Sequence, residues 1–313
     1  MQFCYLCMTN QETMPKKQSI AGHLAGLIAY SIFGFNIIVC KDLTEGQLIS
    51  PIAIFTLRAL GAGLLFWIIS LFSPREKVDT KDFVKIFAAA FLGYFVTQLT
   101  FLVAIPDVTP MHCSIISAMS PIYTMFIAAI VLKEPLSWQK AIGVAVSLCG
   151  ILFLILNNTG GSGASESSLS GLLLMFLNSI SFSLYLGIFK PVIQKYSVVT
   201  FMKWIFLFSA IMSLPMSFRE VFSLSWIRIP AIQMWELGYL IVFATFISYF
   251  LIPLGQKAIR PTLVSMYSYI QPIIATVISI IIGMDILTWQ KILAASMVFA
   301  GVFIVSRSRS KAS

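Results

Sequence analysis

The stretch that decides the fold is LSWQK at residues 136–140, because it recurs as LTWQK at residues 287–291. The two copies lie 151 residues apart in a chain that has only six tryptophans. Sliding the chain by 151 aligns residues 110–154 with 261–305 without a gap, and 12 of the 45 paired positions are identical. Similarity at one fixed spacing indicates an internal duplication.

The matched positions include residues that bend or pack helices, and Glu134 faces Asp285 just before each pentapeptide. Glu134 and Asp285 are a like-for-like carboxylate pair, and the identical pairs include Pro110 and Pro261, Ser114 and Ser265, Ser117 and Ser268, Pro121 and Pro272, and Gly150 and Gly301. The duplication therefore covers whole structural segments and is wider than the pentapeptide.

Composition predicts an integral membrane protein, since 58% of the 313 residues are hydrophobic and only 11% are charged. Apolar runs recur at the length of about 20 residues that a helix needs to cross a bilayer. A soluble protein with buried helices would need polar faces on these runs. We predict ten transmembrane spans: 21–40, 51–73, 83–104, 110–132, 138–156, 170–190, 198–216, 235–255, 261–283 and 288–306.

The net charge of +9 does not indicate nucleic-acid binding, because the Lys and Arg residues sit in short loops beside apolar runs. Of the five cysteines, Cys4 and Cys7 form a lone C-x-x-C, which is weak evidence for a metal site. The sequence therefore predicts no metal, no cofactor and no nucleic-acid partner. The first 15 residues lack the pattern of a secretory signal. The sequence leaves both Met1 and Met14 as possible translation starts, since MPKKQS resembles a natural cytoplasmic start.

Loop charges predict the orientation, because cytoplasmic loops carry an excess of Lys and Arg. Sixteen of the 21 basic residues fall in one set of loops and tails, four in the other set, and Arg58 in a span. Both termini are thus predicted to be cytoplasmic. Two tandem five-span units must face opposite ways, so the duplication predicts an inverted repeat, an arrangement found in secondary transporters.

The predicted architecture is an all-α integral membrane protein with ten transmembrane helices in two inverted five-helix repeats. The repeats occupy residues 20–156 and 170–307, joined by a flexible external linker at 157–169 that contains NNTGGSGASESS. Cytoplasmic tails fill 1–19 and 308–313. Trp138 and Trp289, at opposite faces, are predicted to anchor helix starts at the membrane interface.

The two halves resemble EamA-type members of the drug/metabolite transporter superfamily over about residues 20–307. The resemblance rests on SPIYTMFIAAIVLKEPLSWQKAIGVAVSLCG and QPIIATVISIIIGMDILTWQKILAASMVFAG, and on FTLR at 55–58. The second copy departs from the pattern, with Asp285 where Glu is commoner and no counterpart of Pro135. The resemblance implies transport of amino acids, nucleotide sugars, other metabolites or toxic cations.

Polar residues at both copies of a midspan position predict a substrate cavity, because such residues are costly against lipid. Positions are paired by an offset of 149 in the first span of each half and of 151 elsewhere; we call such positions repeat-related. Tyr267 and Gln271 are four apart, which places them on one helical face. The alternative is that these residues bond helices together. The candidate substrate-binding set is Asn36, Gln98, Ser120, Tyr185, Tyr249, Tyr267 and Gln271.

Two further residues are candidates for a functional role, and each also has a structural interpretation. Arg58 lies inside a span, where insertion scales assign about 2.5–3.5 kcal/mol to an arginine at the centre. It either binds a substrate carboxylate or phosphate, or reaches the headgroups or a neighbouring helix. His112 lies near the outer mouth and is either a gate residue that titrates near neutral pH or a solvated interfacial residue.

The sequence favours a secondary transporter of a small organic metabolite, an amino acid or similar, that works by alternating access and exports its cargo. All twelve acidic residues lie in loops, tails or span ends, which argues against a proton relay through the membrane. The expected location is a bacterial inner membrane, and the expected partners are a small-molecule substrate and the lipid bilayer. The sequence predicts no particular cargo, coupling ion or oligomeric state.

Two other classes of membrane protein fit the sequence less well than a transporter does. A membrane-embedded enzyme would carry a pattern such as H-E-x-x-H or paired acids within spans, and neither occurs. GGSGAS at 160–165 stops short of G-x-S-x-G. A non-transporting sensor or scaffold would carry additional soluble domains, for which the loops are too short. The chain is therefore not expected to be an enzyme.

Overall fold

Every regular element in the described part of the chain is helical. A computed structural model describes residues 16–45, 48–108, 113, 116–133, 137–157, 168–224 and 226–281, together with 289, 292, 293, 296, 297, 300, 301, 303 and 304. The described positions between 289 and 304 are helical.

Eleven helical segments are numbered here in chain order. They are α1 (Lys16–Glu45), α2 (Pro51–Leu71), α3 (Thr80–Asp107), α4 (Ser120–Val131), α5 (Trp138–Asn157), α6 (Leu169–Ile188), α7 (Lys190–Lys195), α8 (Val198–Phe222), α9 (Ala231–Ala258), α10 (Pro261–Met266) and α11 (Ile270–Ile281). A 3₁₀ turn, Tyr267–Tyr269, separates α10 from α11.

Serine caps explain where three of these helices begin. Ser50, Ser168 and Ser197 have extended backbones, and each side-chain oxygen accepts a hydrogen bond from the amide three residues later. The cap satisfies an amide that would otherwise lack an intrahelical partner. Pro51 follows the first cap, where its missing N–H costs nothing.

Within the part of the chain that the structure describes, six segments are long and apolar enough to cross a bilayer. They are Ile20–Thr44, Pro51–Leu71, Thr80–Asp107, Leu169–Ile188, Val198–Phe222 and Ala231–Ala258, and Ser120–Val131 is a shorter apolar helix. The chain is thus an all-helical, multi-pass membrane protein. The arrangement of ten spans as two inverted repeats stays a prediction.

The helices pack in two bundles that mix the first and second halves of the sequence. In the first bundle α1 lies along α9 and α11, and in the second bundle α6 lies along α3 and α4. Helices α2 and α8 pack against each other beside them. Each bundle therefore takes one of its three helices from one half and two from the other.

Helices α3 and α9 each contain a π-helical stretch, Phe91–Val96 and Leu240–Ile247. After the first, the Thr97 hydroxyl donates to the Leu92 carbonyl at 2.7 Å; after the second, Ser248 donates to the Phe243 carbonyl at 3.0 Å. In both bonds the acceptor lies five residues before the donor. The two donors, Thr97 and Ser248, are repeat-related, and so are the two acceptors, Leu92 and Phe243. A wide turn of this kind is rare and commonly lies at a functional site.

One close approach within each bundle also lies at repeat-related positions. A Cβ on Gly34 of α1 would lie 3.1 Å from the Gln271 carbonyl of α11. In the other bundle the Ser183 hydroxyl of α6 donates to the Ser120 carbonyl of α4 at 3.1 Å. Gly34 and Ser183 are repeat-related, as are Gln271 and Ser120. Small residues at these positions let the helix backbones approach closely.

Candidate functional site

A cavity lies between the two bundles. It contains about 530 Å³ of space between its walls, its opening included. The first bundle supplies Tyr30, Phe33, Asn36, Ile37, Tyr249 and Gln271, with Ser268 from the adjoining turn; the second supplies Thr97, Gln98, Phe101, Ser120, Asn178 and Phe182, with Ser117 from just before α4. Each bundle thus forms one wall.

The wall residues are polar or aromatic more often than aliphatic. Repeat-related pairs occur among them: Phe33 with Phe182, Gln98 with Tyr249, Ser117 with Ser268, and Ser120 with Gln271. Among the described residues that line the cavity, none is Lys, Arg, Asp or Glu. The cavity therefore offers hydrogen bonds and aromatic faces but no formal charge.

Five of the eight predicted substrate-binding residues line this cavity. They are Asn36, Gln98, Ser120, Tyr249 and Gln271. Gln98 and Tyr249 touch each other, since the Gln98 Nε2 donates to the Tyr249 hydroxyl at 2.9 Å. The Tyr249 hydroxyl lies 3.3 Å from the Gly93 carbonyl, which it can donate to. This bond joins the two walls across the cavity.

Arg58 lies outside the cavity lining. Its side chain is fully buried, its Nε donates to the Thr245 hydroxyl at 2.8 Å, and its Nη1 lies 3.8 Å from the Cys40 sulfur. Cys40 in turn donates to the Asn36 Oδ1 at 3.5 Å. The position supports the structural alternative for Arg58, which links α2 to α9 and is connected to the cavity-lining Asn36 through Cys40.

Tyr185 and Tyr267 also lie outside the lining. Tyr185 is buried behind the wall, stacked on Phe182 and packed against Gly93, where an added Cβ would lie 2.4 Å from its ring. The Tyr267 hydroxyl lies 2.7 Å from the Nδ1 of His23. The expected shared face of Tyr267 and Gln271 fails because the 3₁₀ turn interrupts the helix between them.

His112 lies outside the described residues. The sequence argument missed several lining residues, among them Asn178, whose Nδ2 donates to the Thr97 carbonyl at 2.6 Å. The identity of Ser117 and Ser268 at repeat-related positions could have predicted both as lining residues. Asn178 carried no such signal, because its repeat-related partner, Ala29, is apolar.

Two repeat-related lysines join the bundles at opposite ends of the molecule. The Lys41 Nζ of α1 donates to the carbonyls of Ile105 and Pro106 at the end of α3, at 3.2 and 2.9 Å. The Lys190 Nζ, beyond α6, donates to the Ile259 carbonyl after α9 at 3.4 Å. We call these contacts the outer latch and the inner latch, after the predicted orientation.

Further contacts close the inner end. The Gln256 Nε2 of α9 donates to the Leu186 carbonyl of α6 at 2.8 Å, and Lys257 donates to the Tyr196 carbonyl. Lys195 forms ion pairs with Asp79 and Asp82. Hydrogen bonds with Asp79, then with Asp82 and Tyr196, raise the pKa of Lys195. This direction is the one expected for an ammonium that is paired with two carboxylates.

Among the described residues, no group of three or more His, Cys, Asp or Glu side chains is placed to hold a metal ion. The cavity can hold a small molecule between its two walls, and hydrogen bonds between the bundles close each of its ends. Such an arrangement suits a binding site that opens alternately to either side.

Comparison with known proteins is consistent with this geometry. An uncharacterized transporter of Archaeoglobus fulgidus is 22% identical over 84% of this chain and 91% of its own length. The uncharacterized transporter YetK of Bacillus subtilis is 22% identical over 92% of this chain and 87% of its own length. The S-adenosylmethionine uptake transporter of Rickettsia prowazekii is 22% identical over 63% of each chain.

A crystal structure of another protein shares the fold, with a TM-score of 0.73 at 14% identity, over 94% of this chain and 97% of that one. The family model of the EamA-like transporter family matches residues 20–156 and again residues 169–307. These two matches cover most of the sequence and confirm the resemblance read from the repeated motif. The chain belongs to the EamA-like transporter family and is a multi-pass membrane transporter.

Proposed function

We propose that this chain is a secondary transporter that moves a small organic metabolite through the cavity by alternating access. The observation that carries the proposal is the Gln98–Tyr249 hydrogen bond at the cavity wall. It joins repeat-related residues of opposite bundles, at the place where a bound molecule would lie between them. Movement of one bundle against the other would break and remake such contacts around a fixed site.

The moving units in this proposal are the two bundles, not the two sequence halves. Each wall of the cavity belongs to one bundle, and each bundle contains helices of both halves. The latches support this choice, because Lys41 and Lys190 both connect the first bundle to the second. Opening one end of the cavity requires one latch to release while the other holds.

The cargo in this proposal is neutral or zwitterionic, an amino acid or a compound of similar size. A cargo with a net negative charge would need a basic partner, and the described lining residues include none. A dication would need carboxylates, which this lining also does not offer. The proposed site residues are Asn36, Gln98, Ser120, Tyr249 and Gln271.

The proposed direction is export across a bacterial inner membrane, with both termini in the cytoplasm. The distribution of basic residues supports the orientation, and the lack of acidic residues at midspan in the sequence argues against proton-driven uptake. One relative is named for uptake of S-adenosylmethionine, so that compound and the uptake direction belong in the test.

Replacing Gln271 with alanine is expected to lower the transport rate by about tenfold or more, because the side chain lines the cavity and its loss removes a hydrogen-bonding amide. The measurement compares metabolites inside and outside cells that carry the intact protein, the variant or neither. Gln194→Ala is the matched control, since Gln194 is exposed on α7.

Accumulation of one compound class outside cells only with the intact protein and Gln194→Ala supports export through this cavity. Depletion of that class from the medium under the same conditions supports uptake and overturns the proposed direction. Equal transport by Gln271→Ala and the intact protein would show that the cavity is not the route.

A further inference from the structure

Arg58 is a buried cation with no opposite charge beside it. Its side chain is fully buried, and among the described residues no ion pair involves it. Its Nε donates to Thr245 and its Nη1 to Cys40, while its Nη2 has no hydrogen-bond partner in the described part of the chain. A buried charge is costly when nothing compensates it, so this guanidinium favours a negative group nearby.

The thiol of Cys40 connects this cation to the cavity wall. Its sulfur accepts from the Arg58 Nη1 at 3.8 Å, and its own proton is donated to the Asn36 Oδ1 at 3.5 Å. Hydrogen bonds in such a chain polarise one another, and the effect is larger in a low-dielectric interior. We call the contacts from Arg58 through Cys40 to Asn36 the Arg58 relay.

The relay fixes which end of the Asn36 amide meets the cavity. The Oδ1 is turned toward Cys40, so the Nδ2, with its two N–H donors, is the end left for a ligand. Among the described residues the Nδ2 has no hydrogen-bond partner, yet it is not fully buried, and Asn36 lines the cavity. Asn36 therefore offers the cargo an N–H donor with a guanidinium behind it.

The relay is not repeated in the second half of the chain. The repeat-related positions of Asn36 and Cys40 are Tyr185 and Phe189. A phenylalanine side chain cannot replace the thiol in a hydrogen-bonded chain, and Tyr185 is not among the residues that line the cavity. The two walls therefore differ, and the positive side of the cavity lies at Asn36, on the first bundle.

We propose that Asn36 is a subsite for the carboxylate of the cargo and that Arg58 is a positioning residue that acts on Asn36 through Cys40. The carboxylate accepts from the Asn36 Nδ2, and the guanidinium stabilises its charge across the low-dielectric wall without touching it. The subsite rests on the proposed transport function and deepens it. A zwitterionic cargo such as an amino acid binds with its carboxylate toward the first bundle.

The experiment measures ligand binding to the purified full-length protein in nanodiscs by isothermal titration. The probes are alanine, leucine and phenylalanine, each compared with its carboxamide, in which a neutral amide replaces the carboxylate. At least one of the acids is expected to bind about tenfold or more tightly than its amide, because only the acid has a negative charge for the relay to stabilise. Equal affinities for every acid and its amide, or no binding of any acid, would overturn the subsite.

Arg58→Met tests the charge, because it removes the guanidinium but keeps a side chain of similar bulk. The preference for acid over amide is expected to fall by at least about tenfold, and Arg58→Lys, which keeps a positive charge, is expected to retain part of it. A general loss of folded protein lowers both affinities alike, so their ratio reports on the relay. Thr56→Val is the matched control, since Thr56 is buried in the same helix and bonds to Ser213 and Ser217, outside the cavity lining.

Cys40→Ala tests the connection itself and keeps the test available if Arg58→Met does not fold. It leaves the charge in place but removes the group that orients the Asn36 amide, so the preference is expected to fall about threefold or more. Cys40→Ser is expected to restore the preference, because a hydroxyl also accepts one hydrogen bond and donates another.

An unchanged preference in both Arg58→Met and Cys40→Ala would contradict the assignment. Binding of chloride alone that is lost in the same variants would assign the cation to an inorganic anion and overturn the carboxylate. If an acid binds as expected but no metabolite crosses the membrane, the subsite stands and the transport proposal fails. If transport proceeds with no preference for carboxylates, only the subsite fails.

Discussion

Among the glycines whose surroundings the structure describes, replacing Gly301 with alanine is expected to cause the largest loss of folded protein. A Cβ at this position would lie 2.0 Å from the Ser147 hydroxyl and 2.3 Å from the Gly143 carbonyl oxygen of α5. The hydroxyl can rotate away, but the carbonyl belongs to a helix backbone. Overpacking of this kind costs about 1–3 kcal/mol, and more where the backbone cannot yield.

The measurement is the thermal midpoint of the purified protein, with the yield from membranes as a second reading. Gly238→Ala is the control, since nothing lies within 4 Å of a Cβ there and Gly238 is inside α9. Its midpoint is expected to stay or rise, because alanine favours a helix over glycine by up to about 1 kcal/mol. A midpoint of Gly301→Ala equal to that of Gly238→Ala would show that α5 does not pack on residue 301.

This contact is one that the repeat indicated without explaining. Gly150 and Gly301 are identical across the duplication, which marks the position but assigns it no role. The sequence does not say which helix comes near, because packing partners depend on the arrangement of the bundles. The structure supplies the partner, α5, and the backbone oxygen that excludes a side chain.

The repeat also predicted part of the cavity lining. Offsets of 149 and 151 selected Asn36, Gln98, Ser120, Tyr249 and Gln271 because polarity at both copies of a buried position is costly unless it is used. The same reasoning placed Tyr185 and Tyr267 at the cavity, but neither is among the residues that line it. The Tyr185 ring packs against Gly93, and the Tyr267 hydroxyl lies beside the His23 ring, in the 3₁₀ turn that precedes α11.

The bundles themselves could not be read from the repeat. An inverted duplication suggests that each half folds on itself, with the substrate between the halves. In the structure α1 leaves its own half and packs along α9 and α11, while α6 packs along α3 and α4. Which helices exchange depends on close approaches such as that of Gly34 to the Gln271 carbonyl, and a single sequence does not reveal these contacts.

Removing the inner latch is expected to change which side of the membrane the cavity faces. The variant combines Lys190→Met, which deletes the latch bond to the Ile259 carbonyl, with Gln256→Leu, which deletes the neighbouring bond to the Leu186 carbonyl. Both replacements are apolar side chains of similar bulk. A hydrogen bond from a charged group contributes about 1.5–3 kcal/mol. Its loss should shift the balance between the inward-open and closed states by about 10- to 100-fold.

The measurement is the rate at which a membrane-impermeant maleimide modifies a cysteine at the cavity wall. Ser117→Cys supplies that cysteine in a chain whose five natural cysteines are replaced, and the isosteric change leaves the wall intact. Inside-out vesicles report access from the inner face and intact cells report access from the outer face. The inner-latch variant should react at least about tenfold faster in the vesicles and more slowly in the cells.

The outer latch provides the opposite test, since Lys41→Met removes the bonds to the Ile105 and Pro106 carbonyls. In the Lys41→Met variant, the cysteine at position 117 should react faster in cells and more slowly in inside-out vesicles than it does without this change. Lys203→Met is the control, because Lys203 lies over the ring of Trp67 outside the cavity. If both latch variants increased reactivity from the same face, the two lysines would not hold opposite ends, and the two-bundle motion would be wrong. Opposite responses would mean that one duplicated lysine controls each entrance, because the inverted repeat puts its two copies at opposite membrane faces.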